Sequence, residues 1–222
     1  MSVVDTLRDF YRKTPLYPLI EPFRVPILHV RDLVLWAKMG GPMPPPHLLK
    51  QGVVRQAIRR VRAHTLIETG THIGNMVAAM CKEVKRVISI EIHPGLHQIA
   101  KNRFRHTPNV TLLLGDSAQL LPEAIRMAGE SPIVFWLDGH YSGPSTGRGT
   151  GDTPIWEELN IIFKMRNAER HRDAVLIDDV NCFLGDPSYP SLEQVKERFA
   201  QEWPSYPFTV HHNMMVVLPG DV

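Results

Sequence analysis

Five apolar runs, Thr65–Glu68, Arg86–Glu91, Val110–Leu114, Ile133–Leu137 and Ala174–Ile177, lie between segments that read as helices. Within each run apolar side chains stand at successive positions rather than alternate ones. Both faces of such a strand must be covered, which is the pattern of a parallel sheet sandwiched between helices. The helical segments read His47–Arg62, Ile73–Lys82, Pro94 to about Arg105, Ser117–Met127 and Pro154 to about Glu169. Ser191-Leu192-Glu193-Gln194 has capping-box spacing and opens a further helix to Gln201. Phe208–His211 and Met214–Leu218 close the chain as an antiparallel hairpin. The expected fold is α/β: a doubly wound, mostly parallel seven-stranded sheet with helices on both faces.

Residues 1–50 differ from this pattern. They are rich in proline, with apolar Leu16, Ile20, Phe23, Ile27, Leu33 and Trp36 spaced among the prolines. They read as an N-terminal extension that packs on the core domain of residues 51–222 or serves as an oligomer contact, with one short helix over His29–Met39 ended by Gly40-Gly41-Pro42. Basic and acidic residues nearly balance, 25 against 23, for a net charge of +2. That balance gives no electrostatic case for a nucleic-acid partner. Arg55, Arg59, Arg60 and Arg62 form a solvated helix face. Two cysteines, Cys81 and Cys182, make neither a disulfide framework nor a zinc spacing, and a reducing, cytoplasmic setting is expected. No signal peptide opens the sequence, and no apolar run approaches the length of a membrane span.

In a doubly wound sheet, ligands bind beyond the carboxyl ends of the strands. Those ends read Glu68-Thr69-Gly70, Glu91-Ile92-His93, Gly115-Asp116-Ser117, Asp138-Gly139-His140 and Asp178-Asp179. An acid stands at or just past every one. Carboxylates are costly to bury without partners, so a row of them at one edge marks a site rather than packing. The first end continues as Glu68-Thr69-Gly70-Thr71-His72-Ile73-Gly74, a strand, a glycine turn and a helix start. Gly70 admits the turn and a close ligand approach, and Gly74 lets the next helix pack tightly or present bare amides. Glu91, at the end of the second strand, suits the two hydroxyls of a ribose. The glycine spacing is not that of a dinucleotide site, and Glu68 would repel a pyrophosphate. A cationic, nucleoside-bearing ligand fits better, which favours S-adenosylmethionine over NAD.

E-x-G-x-x-x-G, an acid ending the second strand, and G-D-S after the third resemble the Rossmann-like (class I) S-adenosylmethionine-dependent methyltransferases over roughly residues 50–218. The resemblance implies that Glu68, Thr69, Gly70, Thr71 and Gly74 line the methionine end of the cofactor. It places Glu91 on the ribose, Asp116 and Ser117 toward the adenine, and Asp138 near the methionine moiety or the reacting centre. Ser117 reads equally well as a helix N-cap. Phe135-Trp136-Leu137-Asp138-Gly139-His140-Tyr141-Ser142-Gly143 and Val175-Leu176-Ile177-Asp178-Asp179 are similar to a bacterial group associated with polysaccharide and secondary-metabolite sugars. That group is related to the metal-dependent macrolide-sugar and aminocoumarin-sugar O-methyltransferases. Asp138, Asp178 and Asp179 match the positions that hold Mg²⁺ in those relatives, where the metal lowers the pKa of the hydroxyl to be methylated. One acid of the Asp178-Asp179 pair could equally cap local backbone while the other faces solvent.

The chain departs from these relatives at His140, where they carry an acid as general base. A histidine can do that work, can ligate the metal, or can be a plain loop residue. The loop Ser142–Thr153, with Gly143, Gly147, Gly149 and Gly151, reads as a mobile lid or an ordinary connector, and Arg148 within it suits a substrate phosphate or carboxylate. His211, His212 and Asn213 are structural or face the acceptor. The expected activity is O-methylation of a sugar or similar hydroxylated metabolite, with a small molecule or glycan as acceptor. A binding protein that kept the fold and lost catalysis is the second reading, and His140 is its support. An NAD-dependent oxidoreductase is the third, and the glycine spacing weighs against it.

Overall fold

The computed structural model describes residues 30–139 and 153–220. His140, Arg148 and the loop through residue 152 lie outside the described residues. The chain divides into two compact units, residues 1–49 and 50–222. In the first unit the backbone is helical over 30–38. Gly40 and Gly41, both at positive φ, turn the chain out of that helix, and the Trp36 indole N–H donates to the Pro42 carbonyl at 2.5 Å.

In the second unit, helix α1 (His47–Val61) leads into β1 (Thr65–Thr69), α2 (Asn75–Met80) and β2 (Arg86–Glu91). Then come α3 (Pro94–Arg103), β3 (Val110–Leu114), α4 (Ser117–Ala128), β4 (Ile133–Leu137), α5 (Ile155–Met165), α6 (Ala168–His171) and β5 (Ala174–Ile177). A 3₁₀ turn (Val180–Phe183), helix α7 (Leu192–Glu202) and strands β6 (Phe208–His211) and β7 (Met214–Val217) complete it. The seven strands form one sheet in the order β3-β2-β1-β4-β5-β7-β6. The five from β3 to β5 are parallel, and β7 runs antiparallel to both β5 and β6. Strand order reverses between β1 and β4, which places the crevice of a doubly wound sheet at their carboxyl ends.

Every residue of β1, β4, β5 and β7 is buried, as unbroken apolar runs require. Successive residues feed two separate cores. Leu66, Val134, Trp136 and Leu176 pack with α1 and α2 side chains such as Val54, Ile58, Val77 and Met80. Ile67, Phe135, Leu137 and Ile177 pack on the other face with α4, α5 and α7 through Leu121, Leu159, Ile162 and Phe199. Among the described residues no helix is long and apolar enough to cross a membrane.

Most helix ends lie within one or two residues of the sequence reading, and the departures with a physical cause are these. The helix after the glycine turn begins at Asn75, because Gly74 stands before it in the left-handed conformation. The segment after Pro154 is two helices. Arg166 leaves the first in an extended conformation to reach Asp173 at 2.6 and 2.8 Å, and the Asn167 side chain caps the second. Asp116, not Ser117, is the N-cap of α4, accepting from the Ala118 amide at 2.9 Å. The Ser191 capping box forms with both of its hydrogen bonds.

Candidate active site

The turn after β1 closes directly against the exit of β4. Gly70 has φ +81°, and a Cβ there would lie 2.2 Å from the Asp138 carbonyl oxygen. The positive φ bears out the turn expected from the sequence, and the neighbouring strand's backbone adds a second demand for glycine. The Asp138 amide donates to the Thr69 carbonyl at 3.1 Å, and the Gly70 and Thr71 amides donate to the Ile90 carbonyl at 3.0 and 3.2 Å. At Gly74, φ +77°, a Cβ would meet the Phe104 ring at 2.4 Å, so this glycine serves the packing of α2 on α3.

Beneath the turn runs a chain of buried polar groups. Thr71 Oγ1 and Ser89 Oγ lie 2.5 Å apart, and the Ser89 hydroxyl donates to Glu68. Burial, reinforced by the charges of Asp138 and Glu91, pushes Glu68 well above the usual carboxylate range despite its bond from Ser89. Glu91 sits where β2 ends and accepts from two backbone amides, His72 at 2.6 Å and His93 at 2.8 Å. Each carboxylate oxygen keeps a further lone pair after accepting one amide. The turn is thereby tied to the end of β2, and Glu91 cannot swing away.

At the ends of β4 and β5, carboxylate oxygens of Asp138, Asp178 and Asp179 lie within 4.8 Å of one another. Lys50, on α1, enters this cluster: its Nζ is 2.5 Å from Asp178 Oδ2 and 3.5 Å from Asp179 Oδ1. Asp178 and Asp179 thus both contact the Lys50 ammonium, and the Asp138 charge also acts on it. Burial raises the Asp178 carboxyl, Asp138 and Asp179 raise it further, and Lys50 only partly offsets them. Burial alone would lower the Lys50 amine, but Asp178, Asp179 and Asp138 outweigh it and raise it. The two shifts have different leading causes, burial at Asp178 and the neighbouring carboxylates at Lys50.

Asp179 is held in the left-handed conformation at φ 53°, a backbone region sparsely used by side-chain-bearing residues. Its amide donates to Asp178 Oδ1 at 2.8 Å. Asn213 braces it from the turn between β6 and β7: the Asn213 side-chain amide donates to Asp179 Oδ1 at 3.1 Å. The Asn213 carbonyl and Oδ1 also accept the Val180 and Asn181 amides, each at 2.9 Å. His212 and Asn213 both have positive φ, the geometry of a tight two-residue hairpin turn, and asparagine tolerates it. Asn213 is thus structural, one of the two readings its sequence position allowed.

The cleft beyond these strands has polar walls of Asp138, Glu158, Asp178 and Asp179 and apolar walls of Ile155, Phe183 and Tyr189. Glu158 comes from α5 and is 1% exposed. Its Oε1 and the Thr69 Oγ1 are both buried without a hydrogen-bond partner, and a Cβ added at Gly139 would stand 3.3 Å from the first and 3.2 Å from the second. Burial pushes Glu158 up to about 7. The hydroxyls of Ser117 and Thr69 are near enough to oppose that rise, although the Thr69 hydroxyl is not aligned for a full hydrogen bond.

Lys50, Glu158 and the Phe183–Tyr189 wall carry no local sequence signal, and nothing near Asn213 shows that it will reach Asp179. Lys50 is 128 residues from Asp178, Glu158 sits in an ordinary amphipathic helix, and Asn213 acts through a turn that only the sheet brings near. Of the sequence-based site residues, Glu68, Thr69, Gly70, Thr71, Gly74 and Glu91 gather in and under one turn. Asp138 joins that turn to the cluster with Asp178 and Asp179, and Asp116 and Ser117 open α4.

Strand order and the flanking helices give a Rossmann-like α/β fold, the fold of class I methyltransferases. Solved structures share it. One is an O-methyltransferase of Streptomyces achromogenes involved in tomaymycin synthesis, in complex with SAM: TM-score 0.55, 17% identity, 86% of this chain and 89% of that one. Another is the O-methyltransferase from Bacillus cereus in complex with SAH: TM-score 0.52, 15% identity, 85% of this chain and 89% of that one. No family model matches the chain. Among curated proteins, the protein-L-isoaspartate O-methyltransferase of Paracoccus denitrificans is 35% identical over 74 residues, 32% of this chain and 34% of that protein. A probable ribosomal RNA small subunit methyltransferase A of Methanosarcina barkeri is 31% identical over 68 residues, 30% of this chain and 24% of that protein. The chain spans only about a quarter to a third of the length of these relatives.

Proposed function

We propose that this protein is an S-adenosylmethionine-dependent O-methyltransferase acting on a sugar or similar hydroxylated small molecule. The observation that carries the reading is the contact of Gly70 with the backbone of Asp138, which joins the cofactor turn and the acid cluster at one sheet edge. Glu91, fixed by two amides, accepts the ribose hydroxyls. Glu68 and Gly70 line the methionine end, and Asp116 with Ser117 faces the adenine. The acceptor lies in the cleft between Asp138, Asp178 and the apolar wall of Phe183 and Tyr189.

In the transfer, the acceptor oxygen forms a bond to the methyl carbon as the sulfonium C–S bond breaks, leaving S-adenosylhomocysteine. The hydroxyl proton passes to a base, a role we assign to His140. Holding oxygen, methyl and sulfur in line supplies much of the rate. Three hard oxygen donors within 4.8 Å fit a divalent cation such as Mg²⁺. When bound by Asp138, Asp178 and Asp179, such an ion would lower the pKa of the acceptor hydroxyl.

Isothermal titration calorimetry with S-adenosylmethionine tests the reading. The folded wild type should bind, and Glu91→Ala should bind at least about tenfold more weakly, a loss of roughly 1.4 kcal/mol. Failure of the folded wild type to bind would refute the assignment. Binding without transfer across a panel of hydroxylated acceptors would point instead to a protein that keeps the fold for binding alone.

A further inference from the structure

The acid cluster already contains a cation supplied by the chain. The Lys50 ammonium stands 2.5 Å from Asp178 and 3.5 Å from Asp179, with its side chain 12% exposed and that of Asp178 2% exposed. These distances put the amine among the oxygens that would ligate a divalent ion, so ammonium and metal cannot both be held there. Lysine is a compact point charge on a flexible four-carbon stem, which lets it leave by rotation without moving the helix that carries it. Asp178 has few alternatives: its other oxygen accepts the Asp179 amide, and Asp179 is held by Asn213. The acids are therefore the fixed partners and the lysine the movable one.

We propose that Lys50 is the resident counter-cation of the Asp138–Asp178–Asp179 cluster and competes with a divalent ion for it. Lys50 thereby sets how much metal the site requires. The inference rests on the methyltransferase reading for its meaning, but its test does not depend on turnover.

The experiment titrates Mn²⁺ into the full-length wild type and Lys50→Met, counting free Mn²⁺ by electron paramagnetic resonance. Lys50→Met, neutral and similar in length, should bind Mn²⁺ at least about tenfold more tightly than wild type, since one competing charge has gone. Adding Asp178→Asn to Lys50→Met should abolish the gain. Equal affinity of wild type and Lys50→Met, whether tight or absent, overturns the proposal, as does a gain that survives Asp178→Asn. If Lys50→Met fails to fold, the wild type alone decides. Acetylation of Lys50 by acetic anhydride, mapped by mass spectrometry, should rise several-fold on adding Mn²⁺, and unchanged labelling overturns the proposal. Calorimetry with S-adenosylmethionine on the same samples separates the two failures: lost cofactor binding bears on the function, an unchanged Mn²⁺ affinity on Lys50.

Discussion

Glu158 offers a direct measurement of how far the fold will bend an ionisation equilibrium. Its carboxyl is enclosed between α5 and the Gly139 backbone, with one oxygen unpartnered, and is pushed from the ordinary 4.5 to about 7. The folded state therefore keeps a proton that the unfolded chain has already released between these pH values. The stability linked to that proton is fully present below about 4.5, declines as pH rises, and is lost above about 7. At about 1.36 kcal/mol per pH unit, the gap of 7 less 4.5 amounts to about 3 kcal/mol. Glu158→Gln has the same shape and no charge to bury. Relative to wild type, the variant should gain about 2–3 kcal/mol between roughly pH 5 and pH 8. Urea unfolding followed by circular dichroism at a series of pH values reads this difference. Parallel stability curves for the two proteins across that range would show that Glu158 is not held neutral and would refute the reasoning.

Gly70→Ala should destabilise the fold by more than about 3 kcal/mol and abolish S-adenosylmethionine binding, because the new Cβ has a backbone oxygen 2.2 Å away; thermal unfolding and calorimetry check both. Arg166→Ala strips Asp173 of a buried partner and should cost about 3–5 kcal/mol in denaturant unfolding, with the break between α5 and α6 loosened in hydrogen exchange. Asn213→Ala frees Asp179 from its brace, so methyl transfer should fall severalfold while S-adenosylmethionine affinity stays near wild type, which steady-state kinetics and calorimetry separate.

The inner strands were legible because burial on both faces leaves little freedom in residue type: β2 and β4 have the bounds the apolar runs predict, and the half-buried edge strand β3 is legible from its apolar run as well. The row of acids was legible for the converse reason, since a carboxylate just past a buried strand has no packing purpose. What stayed hidden depends on pairings between distant segments. Nothing near Arg166 announces that its guanidinium will turn inward, because Asp173 becomes its partner only once β5 is in the sheet. Lys50 looks like any basic residue on an amphipathic helix until the sheet carries Asp178 to it across 128 residues. Gly70 was singled out for the turn, which its φ of +81° bears out, but its contact with the Asp138 backbone depends on strand pairing that local sequence does not show.

The brace from Asn213 to Asp179 also ties the acid cluster to a late stretch of the chain. Strands β1 to β4 and the turn at Gly70 can assemble from the residues up to Leu137, so a growing chain can build its cofactor crevice early. The Asn213 bond to Asp179, which stands in the left-handed conformation, arrives only when the β6–β7 hairpin has been made and laid against β5. The half of the site that would recognise the acceptor is thus completed by a later stretch of chain than the half that would hold the methyl donor. A folding intermediate arrested before the hairpin docks would present a formed cofactor turn beside an unassembled acid cluster.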